Sequence, residues 1–143
     1  MAQITNPDIG IAGIVSSLPD YRFVHFLNKE LHFRMVRTSD LVISSKQGQH
    51  AHPFYYYADP QYGIGFCLAG NRGDNGLLVP GLKNIDYLLL MMQFTERYPL
   101  KEALATLRQI PGVVLVQQID TAKIAGASDI FGLIELHILG QND

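Results

Sequence analysis

The chain holds a single cysteine, Cys67, so no internal disulfide can form, and a cytoplasmic compartment is the simplest expectation. Flanked by Phe66 and Leu68, this thiol reads as a small buried hydrophobe rather than a nucleophile. No Asn-x-Ser/Thr acceptor occurs, and residues 1–8 carry no basic side chain, so neither glycosylation nor a targeting peptide is expected. Charge is sparse at 17%, with 11 Lys and Arg scattered among 13 Asp and Glu for a net charge of -2. A nucleic-acid binder needs a basic stripe to neutralise phosphates; none is present, so nucleic acid is not an expected partner. No apolar run nears the roughly 18 residues of a membrane span, so a membrane partner is not expected either. Repeats and low-complexity tracts are also missing.

What remains is a chain of 143 residues, 48% hydrophobic, enough to build one core without disulfide, metal or cofactor. The expectation is a single domain over residues 1–143. Weak alternation over residues 8–17 predicts a strand. Ser17, Pro19 and Asp20 form a helix start signal, and Phe23, Val24, Leu27 and Leu31 predict a helix over 19–31. Short strands are expected at 32–37, 41–45, 53–58 and 62–69, with a polar loop at 46–52 and a glycine-rich turn at 70–76.

Residues 85–94 then read as a strand, followed by a helix from Pro99 with Leu100, Leu104, Leu107 and Ile110 on one face. Pro111-Gly112 stops that helix, and residues 113–119 read as the next strand, parallel to the previous one. A turn or short helix is expected at 120–126. Over 130–139, Glu135 and His137 alternate with Ile134, Leu136 and Ile138, which favours a final strand over a helix. The fold class is therefore α+β: a mainly antiparallel sheet of five to seven strands with two main helices, containing a ferredoxin-like split β-α-β half.

Leu88, Leu89, Leu90, Met91 and Met92 follow one another without a polar residue, the mark of a strand buried on both faces. Two helices packed on one face would leave the other bare. Either the aromatic meander or a second copy of the chain must cover it, and a homodimer is the expectation.

Candidate chemistry is thin. His50 and His52, one residue apart on an extended segment, point the same way and are candidate ligands for Zn, Ni or Fe, but a site needs a third and usually a fourth donor. Asp86, at the entry to the most hydrophobic strand, is either a general base with a raised pKa or a structural residue that accepts backbone N–H bonds in the Pro80 to Ile85 turn or pairs with an arginine such as Arg22. Tyr21, Arg22 and His25 on the first helix, with Asp86 and Tyr87, are the candidate ligand-binding set. Gly70, Gly73 and Gly76 lack the Lys-Ser/Thr of a phosphate loop. No set of nucleophile, base and orienting group is legible, so no catalytic residue is assigned.

The segment Val79-Pro80-Gly81-Leu82-Lys83-Asn84-Ile85-Asp86-Tyr87 resembles the signature of a family of small bacterial proteins named for its Ile-Pro-Glu-x-x-x-Val-Asp-Tyr motif. Pro80, Asp86 and Tyr87 match directly, Val79 and Ile85 are close substitutes, and Gly81 replaces the family's Glu. Asp20-Tyr21-Arg22 and Leu27-Asn28-Lys29 are also similar, and the likeness extends over roughly residues 10–131. The resemblance implies a cytoplasmic bacterial protein without assigned activity. Any role of the motif Glu does not carry over to Gly81. The functional expectation is a non-enzymatic interaction or regulatory module acting as a homodimer on an unknown protein or small-molecule partner. The alternative is a ligand- or metal-binding protein or enzyme using His50, His52, Asp86 or Tyr87.

Overall fold

The computed structural model describes residues 9–46 and 48–141; Asp8, where the first strand was expected to begin, and the rest of residues 1–8 lie outside them. In chain order the elements are β1 (Gly10–Ser16), α1 (Asp20–Leu31), β2 (Val36–Arg37), β3 (Leu41–Ser45), β4 (Gly48–His52), β5 (Phe54–Ala58), β6 (Gly65–Gly70), β7 (Tyr87–Met92), α2 (Leu100–Arg108), β8 (Val113–Ile119), a 3-10 turn at Thr121–Lys123 and α3 (Ala127–Gln141). Among the described residues no helix is long and apolar enough to cross a membrane.

The protein is α+β. A six-stranded antiparallel sheet runs β2-β5-β6-β7-β1-β8, and β3-β4 forms a separate hairpin. Strand β1 pairs antiparallel with both β7 and β8, so those two run parallel with β1 between them, and β7-α2-β8 is the split β-α-β unit. The outer edge of β8 carries exposed Val114 and Leu115 and no charge. An edge of that kind invites pairing. Arg108 blunts it: its guanidinium Nε and Nη2 donate to the Val116 carbonyl at 3.0 and 2.8 Å.

The apolar run of β7 divides evenly, because successive side chains of a strand point to opposite faces. Tyr87, Leu89 and Met91 enter the core under α1 and α2, with Phe23, Leu27, Leu104 and Leu107. Leu88 and Leu90 enter a second core with Ile11, Phe54, Leu78, Val79, Phe131 and Ile134. Each fully buried side chain of this kind stabilises the fold by about 1.5–3 kcal/mol. The second face is thus covered by the chain itself, and no second copy is needed to close it.

Three local expectations change. Residues 130–139 are helical, within α3, not a strand. Phe131, Ile134 and Ile138 recur at helical spacing toward the core, but Leu133, Leu136 and Leu139 keep the outer face apolar too, so the stripe is hidden in the sequence. A third main helix therefore joins the two expected. Residues 48–52, expected in a polar loop, are strand β4, whose two histidines turn inward. Ser17 does not cap α1; the N-cap is Pro19, without a side-chain hydrogen bond. Ser16 is used instead, its hydroxyl donating to the Gly112 carbonyl and accepting the Leu18 N–H.

Candidate functional site

Asp86 and Tyr87 lie at the start of β7, beside the end of β1 and the first turn of α1. They line a cavity of about 280 Å³ together with Ser16, Leu18, Asp20 and Arg72. Both Asp86 carboxylate oxygens are engaged. Oδ2 accepts the Ser16 N–H at 2.9 Å and Oδ1 accepts Arg72 Nε at 2.8 Å. The partner is Arg72, not Arg22. The Asp86 backbone also bonds Ile14 and Asn71. These bonds tie the loop before β7 to β1, the structural role weighed against the general-base one.

Tyr87 stacks on Phe23 with rings 5.4 Å apart and 3° from parallel, and its hydroxyl donates to the Leu18 carbonyl at 2.5 Å. Burial, helped by the nearby Asp20 and Asp86 charges, pushes its pKa up to about 12, so the phenol stays protonated. Asp20, at the other side of the cavity, accepts the Tyr55 hydroxyl at 2.6 Å and Arg37 Nη1 at 2.9 Å. Tyr21, Arg22 and His25 do not join this group. All three are exposed on α1 and none lines the cavity.

The segment from Val79 to Tyr87 is anchored by Asn71, which is fully buried. Its Nδ2 donates to the Leu82 and Ile85 carbonyls at 2.8 and 2.9 Å, and its Oδ1 accepts the Val79 N–H at 2.9 Å. Arg72 adds a bond from Nη2 to the Lys83 carbonyl at 2.7 Å. A Cβ added at Gly81 would meet open space, so that position is free of packing constraint.

His50 and His52 do converge, but on each other. Their facing nitrogens, His50 Nδ1 and His52 Nε2, are 2.6 Å apart, and His52 Nδ1 is 2.7 Å from the Gly70 carbonyl. A carbonyl only accepts, so His52 donates from Nδ1, and the Nε2 of its neutral ring then accepts from His50 Nδ1. Both residues are buried, His52 completely. Burial, with His50 adding to it, lowers the His52 pKa. The glycine loop closes over the pair. A Cβ at Gly73 would lie 2.6 Å from His52 Cε1 and 2.8 Å from the Ala51 carbonyl oxygen, so this glycine serves close packing rather than phosphate binding. Among the described residues no three His, Cys, Asp or Glu side chains gather to hold a metal ion.

Cys67 is completely buried, and burial drives its pKa well up, which removes it as a nucleophile. Every polar group of the Asp86 cavity named here is held by a neighbour, so the arrangement has no free base beside a nucleophile. Asn71, Arg72, Asp20 and Tyr55 carry this geometry, and none of them was expected at this site; Asp20 was read only as part of the helix start and of the family likeness. Their partners lie 8 to 35 residues away, and no local spacing announces them. No protein family model matches the chain, and no curated protein matches it.

Proposed function

We propose that the chain is a non-enzymatic cytoplasmic interaction module that acts as a homodimer, joined through the outer face of α3. The carrying observation is that this helix holds large apolar side chains on its outward side as well as on its inward one. Phe131 and Ile134 are buried against the sheet, yet Leu133, Leu136 and Leu139 remain 44%, 67% and 61% exposed. A helix with two apolar faces ordinarily has two partners. The inner one is the sheet. Asp129 and Glu135 are the charged residues of the exposed side, and the three leucines between and beyond them suit a self-complementary two-fold contact with the same stripe of a second copy.

The cytoplasmic setting is supported by the lone buried thiol. The likeness of Val79–Tyr87 to the small bacterial family supports a bacterial origin, and nothing more. An enzyme or metal site built on His50, His52, Asp86 or Tyr87 has less support, because each of these side chains is already bound to a neighbour.

Sedimentation or light scattering tests the proposal. The wild-type chain is expected to be a dimer with a Kd of about 1 µM, equivalent to about -8 kcal/mol. Leu136→Glu is expected to give a monomer whose thermal stability matches that of the wild-type chain diluted well below the dimer Kd, since its site is on the surface. A wild-type chain that stays monomeric at about a hundred times that Kd overturns the proposal.

A further inference from the structure

A second cavity, of about 480 Å³, lies on the opposite side of the sheet from α3, where the end of α1, the β5-β6 turn and the start of α2 meet. Its wall is aromatic. Phe33 and Tyr57 pack with ring centres 4.9 Å apart, and Tyr62 meets Tyr98 edge-on at 5.2 Å. Its charged lining is acidic: Glu30, Asp59 and Glu102, with no lysine or arginine. Asp59 is fixed in place, its Oδ2 accepting the Tyr62 N–H at 2.7 Å and its Oδ1 the Tyr57 hydroxyl at 3.3 Å.

One observation says what such a cavity attracts, and one feature opposes it. Arg97, which is not part of the lining, already holds its guanidinium 5.8 Å from the Tyr62 ring centre, so the ring face takes a cation within the chain itself. The start of α2 also faces the cavity, and a helix N-terminus carries about half a positive charge. Three carboxylates outweigh that half charge, and one of them, Glu102, stands in the first turn of α2. The carboxylates do not gather on one point as metal ligands do. They supply a diffuse negative field over ring faces, which suits a bulky cation with spread charge better than a hydrated metal ion.

We infer that this aromatic cavity binds an organic cation of the quaternary ammonium class, its methylated nitrogen set against Tyr62 and Tyr98 and neutralised by Asp59, Glu30 and Glu102. The site is independent of the α3 contact, since none of its residues belongs to that helix.

Choline is the probe, with 3,3-dimethylbutan-1-ol as its uncharged counterpart of the same shape, read by amide NMR shifts. Choline is expected to bind saturably with a Kd of about 1 mM and the neutral alcohol at least about tenfold more weakly. Tyr62→Leu, which keeps bulk but removes the ring, is expected to weaken choline about tenfold. Glu30→Gln with Glu102→Gln, both at exposed positions, is expected to weaken it about threefold and to carry the test if Tyr62→Leu does not fold. Leu136→Glu is expected to leave binding unchanged, so failure here and failure of the dimer are separable. Equal binding of choline and the alcohol overturns the inference. So does choline binding unaltered by the glutamate pair, or no saturation by about 50 mM choline, far above the expected Kd.

Discussion

On one face of the sheet, α1 and α2 each press an apolar stripe inward and turn a charged flank to water. Phe23, Val24 and Leu27 of α1 and Ala103, Leu104 and Leu107 of α2 are buried, while Tyr21, Arg22, His25, Lys101 and Glu102 are exposed. On the other face, α3 is apolar on both its buried and its exposed sides, and it shares the cover with residues 71–85, a loop held by Asn71 and Arg72. The first face is closed by side-chain periodicity. The second is closed by a helix without visible periodicity and by polar bonds between distant residues. The contrast separates stability that comes from a repeating pattern from stability that depends on a few buried hydrogen bonds.

The sharpest way to break the comparison is within α3. Ile134, completely buried, and Leu136, 67% exposed, stand two residues apart. Ile134→Asp puts a carboxylate into the second core and is expected to cost more than about 4 kcal/mol, while Leu136→Asp should stay within about 0.5 kcal/mol in the monomer. Urea unfolding checks both. Equal effects would mean that α3 does not cover the sheet with the face described here.

A smaller effect tests the loop. Asn71→Ala removes the acceptor of the Val79 N–H and the side-chain donor of the Ile85 carbonyl, while the Leu82 carbonyl keeps the Ile85 N–H. The expected cost is about 3 kcal/mol, read as a drop in denaturation midpoint at unchanged slope. A loss below about 0.5 kcal/mol would show that apolar contacts alone hold the loop.

The smallest effect is a pH dependence that also belongs to the second face. Burial is the main cause lowering the His52 pKa and His50 adds to it, while the Gly70 carbonyl bond and the Asp74 and Asp40 charges act the other way. A lowered folded-state pKa means that the unfolded chain binds the proton more readily. Stability is then complete above the unfolded value of about 6.5 and falls as pH drops through the folded-state pKa. Protonation of His52 also puts a hydrogen on its Nε2, facing the one already carried by His50 Nδ1 at 2.6 Å. Melting temperatures taken between about pH 7 and pH 5 should decline, and His52→Gln should flatten that decline. A wild-type profile that is flat over this range would remove the histidine pair from the account.

Legibility followed the same division. The helix over 19–31, the helix after Pro99 and the strand at 113–119 were read from apolar spacing bounded by Pro or Gly, and they stand in the structure as α1, α2 and β8. Leu88 to Met92 was read as buried on two faces; Leu88 to Met91 are, and Met92 is half-buried. Residues 130–139 misled because an outward Leu at every third or fourth position erases the wet side that marks a surface helix. Residues 48–52 misled because two histidines look like solvated loop residues until a neighbouring glycine loop is folded over them.

By itself the sequence determined the α+β class, the split β-α-β unit and the two-sided burial of β7, because each follows from contacts between residues close in the chain or from a period of two or 3.6. Only the tertiary structure decided what covers the second face, that Asp86 binds Arg72 and the Ser16 N–H, that the two histidines satisfy each other, and that rings and carboxylates from α1, the β5-β6 turn and α2 line one cavity. Those pairings join residues far apart in the chain, and nothing in local spacing encodes which distant group a buried polar side chain will meet.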